Sequence, residues 1–286
     1  MIPRRTLITA TRVKGMGLFS GAASEVAFSP AVAGTGISFC RVGVPGMVVA
    51  TAAALADAPA GIPARNTNIR AVPGGEILTI EHAMSALAGL GITDVVVEVT
   101  GPEVPIMDGS AEPFVRALWS AGLRYAGVDV EPLRISREVE VTGRDGAKIV
   151  ARPRAAAGCS YTYELDYGAG GVIPAQSATL DTARTDASYT QDVAAARTFC
   201  TEAEAAAMAK AGLFKHLTAR DMLVIGAKGP IDNTYRFENE PARHKLLDLI
   251  GDLALVGRPI QAEIVAHRAG HAMNQAMAKA LLGSAV

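Results

Sequence analysis

Histidines and carboxylates occur at helical spacing near the C-terminal end of the chain. His244 and Asp248 are four residues apart, so a helix would place an imidazole and a carboxylate one above the other on one face. Asp252, one turn further on, continues this polar stripe, while the leucines and the isoleucine between these residues form an apolar stripe that would bury the helix. The pair can bind one metal ion, although a solvent-facing polar stripe is the commoner origin of such a pattern.

A third residue that could complete a metal site lies early in the chain. The apolar run 77–80 leads into a helical apolar pattern, so Glu81 and His82 are predicted at a strand-to-helix junction. Zinc in hydrolases is held by about three protein ligands and keeps a position open for water. His82 and the helical pair would supply such a set, Glu81 could accept a proton from water, and His271 could protonate the leaving amine. The spacing does not show that His82 reaches the pair, and a single histidine at a strand end is more often structural.

The patterns of apolar and turn residues predict the elements that position these side chains. Helices are predicted where the apolar period is 3.6, and strands where short apolar runs are bounded by turns. Ser110 is predicted to cap the second helix, and the Gly/Ala/Thr-rich residues 168–188 are predicted to form a loop. The main predicted elements are helices 81–89, 112–121, 201–210 and 271–282 and strands 94–99, 135–141, 148–151 and 260–266.

The helical pattern gives way to new strands around residues 127–132, and we place a domain boundary there. A first domain, 1–127, carries Glu81 and His82. A second domain, 128–286, carries His244, Asp248 and His271, with an insert around 200–228. Because the second half repeats the order of elements of the first, a duplicated α/β unit is suspected, although no repeat is visible in the residues themselves.

Composition excludes several classes of function. The 286 residues include 27 Lys+Arg and 28 Asp+Glu, so no field of one sign attracts nucleic acid or an anionic membrane. The three cysteines are widely spaced, which argues against a disulfide framework and a thiolate zinc site and favours a reducing compartment. No signal peptide and no span of about 18 apolar residues is found. We therefore predict a cytoplasmic, monomeric protein that acts on a small molecule, with no nucleic-acid partner and no transmembrane segment.

The remaining motifs are given structural roles. The glycine-rich segment 15–21 contains G-x-G without the helix start of a phosphate-binding loop, so a tight turn is favoured. His216 and His267 are interpreted as surface or local structural residues.

Five blocks of the sequence resemble, in order, the signature blocks of the UDP-3-O-acyl-N-acetylglucosamine deacetylase family. Members of this family perform the committed step of lipid A synthesis in Gram-negative bacteria. The resemblance covers nearly the whole chain. The blocks are Ile80–Gly91, Pro105–Ala111, Ala196–Phe199, Arg243–Leu253 and Gly270–Asn274.

The resemblance implies a fold and a metal centre. The fold would be α+β, with two similar domains, each a β-sheet packed on paired helices, and the active site between the two helical layers. Zn²⁺ would be bound by His82, His244 and Asp248, and Glu81 would be the general base.

The resemblance also implies the remaining catalytic and substrate-binding residues. His271 would be the cationic acid, held by Asp252, and Thr198 would stabilise the oxyanion. Phe199 and Lys245 would contact the substrate, an acylated UDP-N-acetylglucosamine. A carboxylate that orients an imidazole explains why Asp252 shares the ligand face of its helix.

Two segments depart from the family pattern. Phe19 stands where the glycine-rich loop of the family usually has a histidine, and residues 215–221 replace a G-G-S-x-D pattern that lines an acyl tunnel. Lys215 and Arg220 could narrow that tunnel, which would favour a shorter or differently shaped acyl group. An intact tunnel around a differently packed segment is an equally open alternative.

Two other functions are compatible with these motifs. One is a paralogue that deacetylates a different acylated sugar nucleotide. The other is a catalytically idle homologue that binds a nucleotide-lipid or a protein partner and keeps zinc for structure. Glu81, Thr198 and His271 argue against the idle homologue, because none of them is needed merely to hold a metal.

Overall fold

The structure is a computed structural model that describes residues 1–183, 186–214, 216–218 and 221–286. The elements of the first half are β1 (Ile2–Leu7), β2 (Thr11–Met16), β3 (Ala23–Pro30), β4 (Ile37–Arg41), β5 (Val48–Val49), β6 (Leu55–Ala56), β7 (Asn68–Arg70), β8 (Glu76–Ile77), α1 (Glu81–Gly89), β9 (Val95–Val99), α2 (Glu112–Ala121) and β10 (Leu123–Val130). The elements of the second half are β11 (Leu133–Arg134), β12 (Val139–Thr142), β13 (Lys148–Pro153), β14 (Ser160–Leu165), β15 (Gln176–Asp181), α3 (Asp186–Asp192), β16 (Phe199–Thr201), α4 (Glu202–Lys210), β17 (Leu223–Gly226), β18 (Gly229–Pro230), α5 (Glu240–Leu253), β19 (Ile260–His267) and α6 (His271–Gly283).

The two main sheets have the same topology. Their strand orders are β2-β3-β9-β4-β5 and β12-β13-β19-β14-β15. In each sheet the last strand in sequence lies at the centre, antiparallel to the second strand and parallel to the third. The suspected duplication of an α/β unit therefore agrees with the strand order of the two halves.

The helices form two layers between the sheets. α1 packs against α5, α2 packs on α1 and on β2, and α5 and α6 pack on each other and on strands of the second sheet. Buried apolar side chains alternate with more accessible ones along the central strand β19, as expected for a sheet with one covered face. The arrangement of sheet, helices, helices and sheet confirms the predicted α+β fold class.

Most predicted elements are present, but the loop predicted at 168–188 is wrong. β15 lies inside it and pairs antiparallel with β14, and α3 begins at Asp186. Ala178 and Leu180 of β15 are buried between more exposed neighbours. This alternation is short and lies among small residues, so the sequence does not distinguish the strand from a loop. The Ser110 hydroxyl accepts the Glu112 amide at 3.2 Å, although the N-cap position itself is Ala111.

β10 runs from Leu123 to Val130 and pairs with β1, so a regular strand crosses the proposed boundary after residue 127. The division of the chain at that point stays a prediction. The three cysteines are free thiols. Among the described residues, no helix is long and apolar enough to cross a lipid bilayer.

Candidate active site and metal centre

The polar stripe of α5 faces the interior of the protein. His244 and Asp248 are each 2% exposed and Asp252 is fully buried. The His244 Nε2 atom lies 3.3 Å from Asp248 Oδ1, as the spacing of four residues predicts. A solvent-facing stripe is therefore the wrong interpretation of this helix.

His82 reaches this pair from the first turn of α1. Its Nε2 atom lies 3.6 Å from Asp248 Oδ1, and its ring is edge-on to the His244 ring with centroids 5.0 Å apart. One ligand atom from each of the three residues lies within 4.8 Å of the others. Asp248 Oδ1 is buried without a hydrogen-bond partner among the described residues. Since buried charges are normally paired or coordinate metals, this set fits a divalent cation.

The neighbours of the three residues favour the ligand forms of their side chains. The Ala196 carbonyl accepts a hydrogen bond from His244 Nδ1 at 3.1 Å, which leaves Nε2 free to bind a metal. Burial lowers the pKa of His244 to about 3, so its imidazole is neutral. Burial alone would raise the pKa of Asp248, but the Lys245 ammonium, 2.7 Å from Oδ2, and the charged His271 hold the pKa of this carboxyl well below its usual range.

Glu81 lies beside His82 in the first turn of α1 and is 3% exposed. Its Oε2 atom accepts the Thr67 amide at 3.0 Å. Burial raises the pKa of Glu81 to about 7, against the opposing effect of His271 and His82. A carboxylate with this pKa can accept a proton near neutral pH.

His271 begins α6 and lies across the site from α1. Its Nδ1 atom is 2.8 Å from Asp252 Oδ2, and its Nε2 atom is 3.7 Å from Asp248 Oδ2. Although burial opposes the charged form, the carboxylates of Asp252 and Asp248 raise the pKa of His271 to about 9. His271 is therefore a cation near neutral pH and can donate a proton.

Thr67 connects the carboxylates of Glu81 and Asp252 and has no role in the sequence interpretation. Its backbone amide donates a hydrogen bond to Glu81. Its hydroxyl donates to Asp252 Oδ1 at 2.5 Å and accepts from Gln275 Nε2 at 2.9 Å. A sequence signal for the role of Thr67 is the polar run 66–68, which directly precedes the apolar Ile69. All of these residues are buried in the fold.

Thr198 and Phe199 lie on the edge of the site. The Phe199 ring is edge-on to His244 at 6.2 Å, and Lys245 Nζ lies 5.8 Å from the Phe199 ring centroid. The main chain of Thr198 is fixed by hydrogen bonds to Gly109 and Leu223. Its hydroxyl makes no hydrogen bond with any described residue, so it is free to donate to a substrate.

A buried ion pair that the sequence interpretation missed holds this segment on α5. Arg197 Nε lies 2.8 Å from Glu240 Oε1 and Arg197 Nη2 lies 3.1 Å from Glu240 Oε2, and Glu240 is fully buried. The pair positions the Ala196 carbonyl that orients His244, as well as Thr198 and Phe199. Arg197 lies within a signature block, but its partner is 43 residues away in sequence, so spacing alone gives no signal.

The glycine-rich segment is a tight turn, as predicted. The Gly21 amide donates to the Gly17 carbonyl, and the amides of Phe19 and Ser20 donate to the buried carboxylate of Glu103. These amides are therefore occupied and do not form a phosphate cradle.

The two remaining histidines are not buried, in agreement with the predicted surface role, and each contacts a residue that is distant in the chain. His216 Nε2 lies 2.9 Å from the Gly17 carbonyl oxygen, and His267 Nδ1 lies 3.2 Å from Glu164 Oε2. Lys215 and Arg220, the basic residues predicted to narrow an acyl tunnel, lie outside the described residues.

A cavity of about 350 Å³ adjoins the site on the side of Lys245. Its walls combine the cationic side chains Arg144, Lys245 and Arg268 and the rings of Tyr163 and Tyr167 with two carboxylates, Asp145 and Asp166. Arg268 is paired with Asp166, and Lys245 is paired with Asp248. The Tyr163 hydroxyl donates to the Ala269 carbonyl, while Tyr167 is 45% exposed. The cavity therefore offers charged groups of both signs beside an exposed aromatic ring.

Comparisons with known proteins agree with one another. A family model described as UDP-3-O-acyl N-acetylglycosamine deacetylase matches residues 4–283. A curated UDP-3-O-acyl-N-acetylglucosamine deacetylase from Anaeromyxobacter dehalogenans (strain 2CP-C) is 36% identical over 288 residues, which covers 98% of this chain and 87% of the relative.

Proposed function

The chain belongs to the UDP-3-O-acyl-N-acetylglucosamine deacetylase family, and on that premise we propose that it works with a Zn²⁺ ion held by His82, His244 and Asp248. It is an amidohydrolase that removes the N-acetyl group of UDP-3-O-acyl-N-acetylglucosamine in lipid A biosynthesis. The observation that carries the metal assignment is the convergence of three buried ligand atoms within 4.8 Å, one of them a carboxylate oxygen that has no hydrogen-bond partner in the described part of the chain. Two imidazoles and one carboxylate are the donor set that catalytic zinc prefers.

Glu81 is the general base of the proposed mechanism. When bound, the ion would polarise the amide carbonyl and lower the pKa of water. Glu81 accepts the proton of the attacking water, and burial keeps its pKa near the working pH. The Thr67 amide fixes the orientation of this carboxylate through Oε2.

His271 and Thr198 act on the other groups of the reaction. His271 is charged before the reaction, since its pKa is about 9, and it gives its proton to the departing amine. Asp252 holds the imidazole through Nδ1, so Nε2 carries the proton that is transferred. The free hydroxyl of Thr198 donates to the oxyanion that forms at the amide carbon.

The nucleotide end of the substrate extends into the cavity beside Lys245. A diphosphate requires cationic partners, and Arg144, Lys245 and Arg268 line that cavity, where Lys245 also pairs with Asp248 and Arg268 with Asp166. The exposed ring of Tyr167 offers a stacking surface for uracil. Phe199 and Lys245 contact the sugar that lies between the cavity and the metal centre.

The proposal also covers the compartment, the oligomeric state and the division into domains. We propose that it acts as a monomer in the cytoplasm, since its three free thiols fit a reducing compartment. The two domains are divided after residue 127.

Acetate release from the acylated sugar nucleotide, with and without a chelator, tests this function. We expect turnover that is lost on chelation and restored by Zn²⁺. Turnover that is unaffected by complete removal of metal would overturn the metal assignment, and the absence of acetate release from the metal-loaded protein would overturn the activity.

A further inference from the structure

Thr67 lies where the two halves of the chain meet at the active site. The proposed base, Glu81, belongs to the first half, whereas the proposed acid, His271, belongs to the second half together with Asp252. The relative position of base and acid therefore depends on how the two halves pack. Thr67 is 1% exposed, and it makes hydrogen bonds to both sides of this boundary.

Every polar group of Thr67 takes part in these contacts. Its amide donates to Glu81 Oε2 at 3.0 Å, and its carbonyl accepts the Ile80 amide at 3.0 Å. Its hydroxyl donates to Asp252 Oδ1 at 2.5 Å and accepts from Gln275 Nε2 at 2.9 Å. Because a hydroxyl that accepts one hydrogen bond donates the next one more strongly, Gln275 strengthens the bond from Thr67 to Asp252.

The residues on either side of Thr67 fix its main chain. Asn68 Oδ1 accepts the Thr79 amide at 3.2 Å, and Asn66 Nδ2 donates to the Thr79 hydroxyl at 2.9 Å. Thr79 has a φ of 57°, a region that a β-branched residue rarely adopts. Such a conformation persists only where the surroundings stabilise it. The two buried asparagines therefore hold the turn before α1 beside Thr67.

The Asp252 carboxylate is held at both of its oxygens. Oδ1 accepts the Thr67 hydroxyl, while Oδ2 accepts hydrogen bonds from His271 Nδ1 at 2.8 Å and from Asn274 Nδ2 at 2.9 Å. His271, Asn274 and Gln275 share one face of α6, because they are three and four residues apart. Without the Thr67 hydroxyl, Oδ1 would lose its donor in a fully buried position, and the carboxylate would be free to turn away from His271.

Resting on the proposed function, we propose that Thr67 is a positioning residue whose hydroxyl holds Asp252, and through it His271, in a fixed place relative to Glu81. The donor and the acceptor of protons must both lie at a productive distance from the reacting amide. Thr67 sets both positions from one residue, by its amide for the base and by its hydroxyl for the acid. It acts through these carboxylates and takes no proton itself.

Thr67→Val tests the hydroxyl, because it keeps the shape of the side chain and the main-chain bonds to Glu81 and Ile80. We expect kcat for acetate release to fall about 10- to 100-fold, the range that corresponds to a lost hydrogen bond to a charged group. KM and metal content per chain should stay unchanged, because the loss is confined to the transition state. Thr67→Ser restores the hydroxyl with a less restricted side chain, so its kcat should lie within about threefold of the native value.

A proton resonance reports the same geometry without turnover. The His271 Nδ1 proton lies in a charge-assisted hydrogen bond to Asp252, so it should give a far-downfield signal in the proton NMR spectrum of the native protein. The absence of this signal in His271→Gln assigns it. In Thr67→Val the signal should move upfield or broaden, because the carboxylate is no longer held, and in Thr67→Ser it should stay in place.

Thr6→Val is the matched control for the loss of a buried threonine hydroxyl. Thr6 is fully buried on β1, and its hydroxyl accepts the Ala31 amide at 2.9 Å, a contact that involves no proposed catalytic residue. It should lower stability in urea unfolding but keep kcat and the His271 signal. Gln275→Leu is a milder variant that folds more readily, because Gln275 is only half-buried. It weakens the Thr67 hydroxyl as a donor and should lower kcat by less than Thr67→Val does.

The outcomes separate this inference from the function on which it rests. A native value of kcat in folded Thr67→Val would overturn the positioning role, as would an equal fall in Thr6→Val or a Thr67→Ser variant no faster than Thr67→Val. If Thr67→Val does not fold, a native kcat together with an unmoved His271 signal in Gln275→Leu would overturn it. Absence of acetate release from the metal-loaded native protein would instead refute the proposed function, and the NMR signal would still test the positioning.

Discussion

The Gly251 Cα lies directly against the carbonyl oxygen of Glu81, so the backbones of α5 and α1 touch at the residue that carries the proposed base. A methyl group at position 251 would overlap that oxygen and come within 3.1 Å of the Ser85 amide nitrogen. Glycine inside a helix is unfavourable by roughly 0.5–1 kcal/mol relative to alanine. Here it permits the approach that brings His82 to the ligands on α5.

Gly251→Ala should therefore separate the two helices and lower both activity and stability. We expect a loss of about 1–3 kcal/mol in the free energy of unfolding, the usual cost of overpacking, measured by urea titration together with acetate release. Gly283→Ala is the control, because nothing lies within 4 Å of that position. Normal activity in Gly251→Ala would show that α1 and α5 tolerate a wider spacing.

His82→Ala and His244→Ala should each lose bound metal and activity together. Removal of one imidazole leaves the other ligands with incomplete coordination and an uncompensated Asp248. Metal content per chain and acetate release are measured on the same preparations. His267→Ala removes a ring that contacts Glu164 on the adjacent strand β14, so this control should retain both. Full activity in a variant without metal would contradict the assignment.

Glu81→Gln should lower kcat by roughly 10²–10⁴-fold, the range for a positioned proton-transfer group. The amide keeps the size of the side chain and still accepts the Thr67 amide through its oxygen. Metal content should therefore stay unchanged, which distinguishes this variant from those of the ligands. If kcat remained near normal, another residue would be the base.

The pH profile of kcat/KM should be bell-shaped. Glu81 must be ionised, and burial raises its pKa to about 7, so the rate falls below that pH. His271 must be protonated, and its pKa of about 9 makes the rate fall above that pH. The charge of Asp252 raises both pKa values, so Asp252→Asn should move both limbs to lower pH.

The control for this shift is Asp129→Asn, which removes an exposed carboxylate near the chain's first strand. Its profile should match that of the native enzyme. An alkaline limb that stays in place in Asp252→Asn would assign the acid to a group other than His271.

Arg197→Met should destabilise the protein by about 3–5 kcal/mol, because it leaves Glu240 as an uncompensated buried charge. Urea unfolding measures the loss, and the double variant Arg197→Met/Glu240→Gln should recover part of it. Arg116→Met removes an exposed ion pair with Glu112 and should change stability little. Equal stability of Arg197→Met and the native protein would contradict the role of this pair.

The sequence by itself determined the helix that carries His244 and Asp248, the junction at Glu81 and His82, and the order of the signature blocks. These features depend on local periodicity and on motifs, which can be recognised from residues that are close together in the sequence. The i,i+4 spacing fixed the distance between two ligands before any fold was known, because helix geometry alone sets it.

Only the tertiary structure decided that the polar stripe of α5 is buried and that His82 reaches it. It also brought Thr67 to Asp252, Arg197 to Glu240 and Phe19 to Phe214. Each of these contacts joins residues far apart in the chain, and it exists because two helical layers and their loops pack in one particular way. The partner of a buried polar group or an aromatic ring is set by that packing, and no local pattern of residues records it.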